Sequence, residues 1–449
     1  MSNYKYTQNV GLLLFFLASV LTVAAQDALP RRGFLGAQVA PLEAPQRENL
    51  KTRRTGGILV RAVVPKSAAE AAGLQAGDVI FEVNKVPIEN TEQFVALVGK
   101  GRGGESVEIV FSREGRELIK TAELLPRPVE TSPSFDILYR SVTVDGARRR
   151  VIVTRPKAAG KYAAVLFLGG VGCYSQDNLP EDHVYRKIVY ALAEKGYVTM
   201  RVEKSGMGDS EGAPCSTPQV DFETEVKGYV AGLNALKGYD FVDARRVALL
   251  GHSMGGVLAP VIAAKNPVKS VIVAGTVGKS WFEYELENLR RQLLMRSVAP
   301  EEAERRVRRK EYCNYRLYRN LETPEEIAKT APDCVALPNQ PPQPYTFMRQ
   351  VADLNLAAHW KTTDAPVLLI YGSADFLTSA EEHRYLSGII NGYRAGSAKF
   401  VEIPNMTHGF RFAASPLEAM RQSSGEFPEG GFKTEALTEI EKWLGETLK

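Results

Sequence analysis

The chain has 449 residues, enough for roughly two or three domains with a buried core. Hydrophobic residues make up 44% of it and charged residues 24%, which is the balance of an ordinary globular protein. The net charge of +4 is small for this length. The composition therefore gives no reason to expect a nucleic-acid partner, which needs a concentrated basic face.

The first residues of the chain predict an export signal. Lys5 is the only charged residue among residues 1–25, and residues 11–23 form an apolar block that is short for a membrane span. Small residues follow at Val23-Ala24-Ala25, so we expect residues 1–25 to be a cleaved signal peptide. The mature protein is then periplasmic or secreted, with no stable membrane span. An uncleaved membrane anchor is the alternative.

Strand-like runs in the next part of the chain predict a small, mostly β domain over about residues 32–126. The runs are residues 57–64, 78–84 and 106–112, with one helix-like stretch at 91–100. Two motifs, Gly33-Phe34-Leu35-Gly36 and Ala72-Gly73-Leu74-Gln75-Ala76-Gly77-Asp78, resemble those of PDZ domains from bacterial envelope proteases.

The PDZ resemblance implies a peptide-binding loop near the start of this domain. In PDZ domains such a loop holds the C-terminal carboxylate of a peptide with backbone N–H groups, and the peptide then adds a strand to the sheet edge. By resemblance the loop here consists of Phe34, Leu35, Gly36 and Ala37. The implied partner is a C-terminal peptide. A purely structural module is the alternative.

A second domain follows a short linker. Three prolines among polar residues between 124 and 134 predict a linker at 127–134. From residue 135 to 449, strand and helix candidates alternate, which predicts an α/β fold with a mostly parallel sheet covered by helices on both faces. The strand candidates are residues 163–168, 197–202, 247–250, 270–274, 367–371 and 399–403, and the helix candidates are 184–195, 222–236, 257–265 and 379–390.

The alternation stops after residue 278. Residues 279–362 contain charged helical stretches and no clear strand, and an insertion of this length at the end of a strand is usually functional, so we predict a helical cap. Residues 301–310 are densely charged, which is typical of a solvated helix face; attraction of an anionic substrate is the alternative. The cap aromatic residues either line a substrate pocket or form the core of the cap: Trp281, Phe282, Tyr284, Tyr312, Tyr315 and Tyr318.

Gly251-His252-Ser253-Met254-Gly255 lies between a strand candidate and a helix candidate. A strand that turns sharply into a helix exposes the serine at the turn, and the flanking residues must be small. Ser253 is therefore the predicted nucleophile.

A serine nucleophile needs a base, and the chain has five histidines: His183, His252, His359, His383 and His408. His408 follows the last strand candidate, at the same sheet edge as Ser253, and is the predicted base. His252 adjoins Ser253 and should point away from it. We expect His183 and His383 to be solvated, because they lie in charged helical segments.

The other predicted residues of the site lie in loops that come directly after strand candidates. Asp375 comes after the strand candidate 367–371 and is predicted to orient His408, in the chain order Ser253, Asp375, His408. The oxyanion donors should be the backbone N–H of Met254 and an N–H from Gly169-Gly170-Val171-Gly172. We choose Val171, with Gly170 and Gly172 as near alternatives. A phosphate-binding loop is not favoured, because the Lys and the Ser/Thr of that motif are missing.

The four cysteines of an exported protein can form disulfides. Cys173 and Cys215 follow two successive strand candidates, and Cys313 and Cys334 share the helical insertion, so we predict the pairs 173–215 and 313–334. Small buried thiols are the alternative. The cysteine spacing suggests no metal site, and we expect neither a metal nor a cofactor.

With this triad, the part of the chain from 134 to 449 resembles the α/β-hydrolase superfamily, with most likeness to its serine aminopeptidase-like and dienelactone hydrolase-like groups. The turn at residues 203–210 is similar to the family's glycine-bearing turn after the fourth strand. The resemblance implies a serine hydrolase acting on a small-molecule ester or peptide, by an acyl-enzyme mechanism; carboxylic esters come first, with peptides or thioesters as variants. The alternative is a peptide-binding protein whose hydrolase domain is mainly a scaffold.

Overall fold

The computed structural model describes residues 29–43, 47, 54, 56–334 and 343–449. The chain divides after Val129 into two compact units. The predicted signal peptide, residues 1–25, lies outside the described residues. None of the helices in the described ranges is both long enough and apolar enough to cross a membrane.

The unit that ends at Val129 is rich in β-strands. Within the described residues, its strands are β1 (Gly33–Phe34), β2 (Ala37–Pro41), β3 (Ile58–Val63), β4 (Val79–Val83), β5 (Val86–Pro87), β6 (Ser106–Arg113), β7 (Arg116–Glu123) and β8 (Leu125–Pro126), and its helices are α1 (Ala68–Ala71) and α2 (Thr91–Lys100). Most strands form one sheet in the order β2-β3-β4-β6-β7, with β5 paired to β4, while β1 pairs with β8. Alternate residues of β6 are apolar and buried, namely Val107, Ile109 and Phe111, because one face of the sheet covers the core.

The unit that begins at Glu130 is an α/β domain. Its described strands are β9 (Phe135–Val144), β10 (Ala147–Pro156), β11 (Tyr162–Leu168), β12 (Val198–Val202), β13 (Val242–His252), β14 (Ser270–Ala274), β15 (Val367–Gly372) and β16 (Ala398–Ile403). Its described helices are α3 (Val184–Glu194), α4 (Phe222–Gly238), α5 (Met254–Lys265), α6 (Trp281–Met295), α7 (Pro300–Tyr318), α8 (Pro324–Thr330), α9 (Tyr345–Asp353), α10 (Leu356–Lys361), α11 (Ala380–Tyr393), α12 (Pro416–Ser423) and α13 (Thr434–Thr447).

The sheet of this second unit has the order β16-β15-β14-β13-β11-β12-β10-β9 and is parallel from β16 to β12. Both faces are buried, since Val271 and Val273 of β14 pack on the side of α4 and α5, while Ile272 and Ala274 pack on the side of α3 and α13. The α/β prediction, with a mostly parallel sheet, is confirmed. Parallel strands end at one edge of a sheet, so the loops that follow them lie together.

The hairpin of β9 and β10 has no counterpart among the strand candidates; the two strands are antiparallel to each other, and β10 is antiparallel to β12. Asp145 and Gly146 at its turn both have positive φ, 48° and 81°. An Asp-Gly pair with this backbone is typical of a two-residue hairpin turn, so it was the available signal.

The division between the units lies inside the predicted linker 127–134. Glu130, just after the division, is buried in the second unit, where its carboxylate lies 2.7 Å from the guanidinium of Arg201 on β12. The end of the linker is thus tied into the α/β sheet by an ion pair.

The predicted cap region contains helices α6 to α10, all between β14 and β15. Within this region, a disulfide joins Cys313 of α7 to Cys334, with the two Cα atoms 5.4 Å apart. Cys173 and Cys215, which follow β11 and β12, form the second disulfide, with a Cα–Cα distance of 5.5 Å. Both separations are ordinary for disulfides.

We predict that the oxidised protein contains no free thiol and that Cys313→Ser/Cys334→Ser lowers the free energy of unfolding by about 3 kcal/mol, because a link across 21 residues restricts the unfolded chain. Thiol titration in denaturant and urea unfolding measure the two effects. Reductant should destabilise the wild type more than this variant, which keeps one disulfide. Four titratable thiols in the oxidised protein would contradict both pairs.

Candidate active site

Ser253 lies on a strained turn between β13 and α5. Its φ of 55° and ψ of −120° are rare for a residue with a side chain. A Cβ atom on Gly255 would overlap the carbonyl oxygen of Leu168, and one on Gly251 would overlap the carbonyl oxygen of Gly255. Only glycine fits at these two positions, and the sharp turn leaves the serine side chain at the end of the strand.

Asp375 and His408 form a hydrogen-bonded pair at the ends of β15 and β16. His408 Nδ1 lies 2.8 Å from Asp375 Oδ2, which also accepts a bond of 2.6 Å from the Thr378 hydroxyl. The other carboxylate oxygen accepts from the backbone N–H groups of Leu377 and Thr378. Burial alone would raise the pKa of Asp375, but His408 and these donors outweigh it and hold the pKa well below its usual range. The carboxylate stays ionised and faces His408.

His252 connects the turn at Ser253 to the loop of His408. Its Nε2 lies 2.8 Å from the His408 carbonyl oxygen, and the two rings are 4.7 Å apart. Its Nδ1 lies 2.7 Å from the hydroxyl of Tyr185. Burial, with a smaller contribution from His408, lowers the pKa of His252 to about 3. In a neutral ring, Nδ1 can accept the Tyr185 hydroxyl proton while Nε2–H donates to the His408 carbonyl oxygen. The second bond links the turn at Ser253 to the loop of His408.

The Ser253 hydroxyl makes no hydrogen bond to any other residue that the structure describes. Bonds between a nucleophile and its base are often long in unliganded enzymes and shorten when substrate binds.

The glycine-rich loop after β11 lies directly against Ser253. A Cβ atom on Gly170 would be 3.3 Å from the Ser253 Cβ. The backbone N–H of Gly170 donates to the Tyr185 hydroxyl at 3.1 Å, so it is already engaged. In the described part of the chain, the N–H groups of Val171 and Met254 donate no hydrogen bond. Of the predicted donors, Val171 and Met254 are thus available and Gly170 is not. The N–H of the alternative Gly172 likewise donates no hydrogen bond in the described part of the chain.

Helix α6 of the predicted cap region contacts the loop of Asp375. Trp281 and Tyr284 of α6 belong to the same apolar cluster as Val171 and Met254. Arg291, also on α6, donates to the carbonyl oxygen of Leu377 in the Asp375 loop at 3.0 Å. The predicted aromatic set divides, because Tyr312 and Tyr315 are 48% and 55% exposed, whereas Tyr284 and Tyr318 are buried.

The expectation that His383 is solvated is wrong, because its side chain is fully buried in the first turn of α11. Its Nε2 accepts the backbone N–H of Thr276 at 3.2 Å, and its Nδ1 lies 2.8 Å from the Ser379 carbonyl oxygen. Beside it, Glu382 accepts the N–H groups of Gly278 and Lys279. The first turn of α11 therefore anchors the start of the cap, a role that no local sequence signal reveals. Burial lowers the pKa of His383 to about 4.

His183, also expected to be solvated, is half-buried. Its Nδ1 accepts the N–H of Tyr185 and caps the start of α3. With Arg411, Phe376 and Leu377, it lines a cavity of about 330 Å³ that reaches His408. This space is large enough for part of a small substrate.

In the first unit, the predicted carboxylate loop connects β1 and β2. The carbonyl oxygens of Leu35 and Gly36 accept bonds from Ala69 and Val64 inside the domain. Because C=O and N–H point in opposite directions in a trans peptide, the N–H of Gly36 faces away from that interior. Gly36 has a φ of 83°, as the turn requires.

No group of three or more His, Cys, Asp or Glu side chains suited to a metal ion occurs among the residues that the structure describes.

Comparisons with known proteins agree with this architecture. A family model described as "Alpha/beta hydrolase family" matches residues 165–422, more than half of the chain. A PDZ domain model matches residues 59–113, a range that starts after the predicted carboxylate loop. The predicted combination of a PDZ domain and an α/β-hydrolase domain is confirmed.

Individual relatives are more distant. Esterase EstD of Thermotoga maritima is 22% identical over 357 residues, which cover 76% of this chain and 77% of the relative. A probable periplasmic serine endoprotease, DegP-like, of Marinomonas sp. is 31% identical over 110 residues, covering 24% of each chain. The match thus spans about a quarter of that protease. The structure of Est1E from Butyrivibrio proteoclasticus with ferulic acid bound aligns at 19% identity with a TM-score of 0.42, covering 64% of this chain and 96% of that one.

The two buried histidines predict a loss of stability in acid. Their folded-state pKa values, about 3 for His252 and about 4 for His383, lie below the value of about 6.5 for unfolded histidine. The unfolded chain binds more protons below that pH, so their contribution to stability is present above about pH 6.5 and is lost as the pH falls toward the folded values.

Between pH 8 and 5 the free energy of unfolding should fall by about 2 kcal/mol less in His383→Gln than in the wild type. Urea unfolding at several pH values measures this. His359→Gln, at a half-buried histidine of the cap, is the control and should reduce that fall much less. Equal slopes for wild type and His383→Gln would contradict the assignment of a neutral, buried His383.

Proposed function

Because the chain belongs to the alpha/beta hydrolase family, we propose that it is a serine hydrolase that cleaves carboxylic esters. The observation that carries this proposal is the 2.8 Å contact between His408 Nδ1 and Asp375 Oδ2, beside a serine on a strained turn after β13. These are the three groups that an acyl-enzyme mechanism requires. The name of the Thermotoga relative, an esterase, supports the choice of ester over peptide or thioester.

In the proposed first step, Ser253 Oγ attacks the carbonyl carbon of the ester and His408 Nε2 takes the hydroxyl proton. His408 can accept at Nε2 because its Nδ1 faces the ionised Asp375. The imidazolium that forms is stabilised by that carboxylate. The carbonyl oxygen becomes negative and is held by the N–H groups of Met254 and Val171.

The tetrahedral intermediate then collapses, and His408 returns its proton to the departing alcohol. The acyl group remains on Ser253. Water repeats the sequence: its oxygen attacks the acyl carbon while His408 takes one of its protons, and the oxyanion forms again at the same two N–H groups. Collapse breaks the bond to Ser253 Oγ, which receives the proton from His408, and the carboxylic acid leaves. The cavity beside His408 provides space for the substrate, and the apolar side chains of α6 provide a surface that it can contact.

The first unit is proposed to bind the C-terminal end of a peptide. The support is the loop at Leu35 and Gly36, together with β2, which lies at an edge of its sheet where an added strand could pair. Similarity to proteases named as periplasmic, together with the apolar N-terminal block, supports an envelope location. The peptide site would then bring the hydrolase to a protein partner in that compartment.

Ser253→Ala should reduce the hydrolysis of p-nitrophenyl esters by about 10⁴-fold or more, because no other group supplies the nucleophile. A fluorophosphonate probe should label the wild type and not this variant. Ser424→Ala, at an exposed serine, is the matched control and should keep both activity and labelling. Undiminished hydrolysis by a folded Ser253→Ala protein would disprove the proposed function. Aminopeptidase substrates tested in parallel decide whether peptides are also cleaved.

Peptide binding is tested on the full chain by calorimetry. A peptide that ends in an apolar residue with a free carboxylate should bind, and the same peptide amidated at its C-terminus should not, because the amide removes the charge that the loop N–H groups hold. Equal affinity for the two forms, or no binding by any member of a peptide library, would leave a structural role for the first unit and exclude the proposed one.

A further inference from the structure

Lys204 places a buried ammonium group behind the glycine-rich loop after β11. Its side chain is 3% exposed and lies in the turn after β12. Its Nζ donates to the carbonyl oxygen of Gly170 at 3.0 Å. The same Nζ lies 2.8 Å from a carboxylate oxygen of Glu225 on α4, which is 4% exposed. A charged group is therefore held in the protein interior and bonded to one backbone atom of the loop.

The carbonyl that Lys204 contacts belongs to the peptide unit whose N–H is that of Val171. In a trans peptide the C=O and N–H point in opposite directions. Since Lys204 holds the Gly170 oxygen toward the interior, the Val171 N–H is directed to the opposite side of the loop. A rotation of this peptide would replace that donor by a carbonyl oxygen, which would repel an oxyanion. Lys204 opposes the rotation, because its ammonium would lose its acceptor.

The preceding peptide is held separately. The N–H of Gly170 donates to the Tyr185 hydroxyl at 3.1 Å, and Tyr185 is in turn bonded to His252. The Tyr174 hydroxyl makes a longer bond of 3.4 Å to the Gly170 oxygen. Both peptide units that flank Gly170 thus have fixed orientations. Of these two units, it is the Gly170–Val171 unit whose carbonyl oxygen contacts a cation.

A cation on the carbonyl oxygen also strengthens the donor at the other end of the peptide. It draws electron density toward the oxygen, so the N–H becomes a better donor, and this effect is larger in a site with little water. Glu225 offsets the cost of burying the ammonium. Apolar residues of similar volume often replace such a pair without loss of stability, so stability alone does not account for its presence.

We propose that Lys204 is a positioning residue of the oxyanion site, which orients and polarises the Gly170–Val171 peptide so that the Val171 N–H stabilises the transition state. This inference rests on the proposed esterase function and adds to it a residue that does not touch the substrate. It assigns to the buried Lys204–Glu225 pair a role in the chemical step.

The test replaces the pair with uncharged side chains of similar size, in Lys204→Met/Glu225→Gln, so that neither member of the pair stays charged without the other. The matched control is Arg150→Met/Asp209→Asn, which neutralises another buried pair, with side chains 3% and 0% exposed and its Asp in the same turn as Lys204. For each variant, kcat and KM are measured with a p-nitrophenyl ester. The inhibition constant is measured with a trifluoromethyl ketone, which forms an oxyanion on the serine. Thermal unfolding reports the stability.

We expect kcat of Lys204→Met/Glu225→Gln to fall by about 10- to 100-fold, somewhat less than the loss on removing an oxyanion donor outright, with KM changed less than about 3-fold. The affinity for the trifluoromethyl ketone should fall by a similar factor. The control pair should keep kcat within about 3-fold even where its stability falls. If Lys204→Met/Glu225→Gln does not fold, the apolar double variant Lys204→Met/Glu225→Leu replaces it and should show the same separation of kcat from KM.

Equal kcat values for the two double variants, or a change confined to KM, would overturn the inference. These results are separable from a failure of the proposed function. If Ser253→Ala is as active as the wild type, the function itself is wrong. If hydrolysis requires Ser253 and tolerates the loss of Lys204, only the role of Lys204 is wrong.

Discussion

The candidate site depends on the close packing of two backbone segments at the ends of parallel strands, the turn at Ser253 and the glycine-rich loop after β11. The turn after β13 touches the end of β11 so closely that a Cβ atom on Gly255 would overlap the Leu168 carbonyl, and Gly170 lies against Ser253 on the other side. The serine and the glycine-rich loop therefore cannot move independently. Because β15 and β16 end at the same edge, Asp375 and His408 reach the site as well. The packing thus fixes Ser253 against the glycine-rich loop, and the shared sheet edge places Asp375 and His408 on the same side of the domain.

Buried polar side chains stabilise the loops at this sheet edge through hydrogen bonds to the loop backbone. Such groups cost free energy unless they are hydrogen-bonded, and several of them here bond to a backbone atom of a strand-end loop. Lys204 contacts the Gly170 oxygen, His252 contacts the His408 oxygen, and His383 and Glu382 contact N–H groups at the start of the cap. These loops carry the proposed catalytic groups or lead into the cap. The polar interior of this domain therefore supports the geometry of its site, with apolar packing supplying most of the stability.

Much of this could be predicted from short sequence patterns. The two flanking glycines predict the sharp turn at Ser253. Asp375 and His408 follow predicted strands, so their place at the same sheet edge is predictable, because parallel strands bring their ends to one edge. The hairpin of β9 and β10 was missed although Asp145-Gly146 marks its turn. His383 lies among charged residues, of which Glu381 and Arg384 are exposed, whereas its own side chain and that of Glu382 are buried. The sequence of a helix does not by itself show which of its faces the neighbouring helices and strands cover.

By itself, the sequence determined the α/β class, the preceding PDZ-like domain and the strained serine turn, since each depends on local periodicity or on glycines at fixed spacing. Tertiary structure decided that the Gly170 N–H is occupied while that of Val171 is available, and that Lys204 meets Glu225 under the same peptide. It also decided that His252 and Tyr185 join two loops. The partners in these contacts come from different strands and helices, and their distances depend on how the elements pack, which no local pattern encodes.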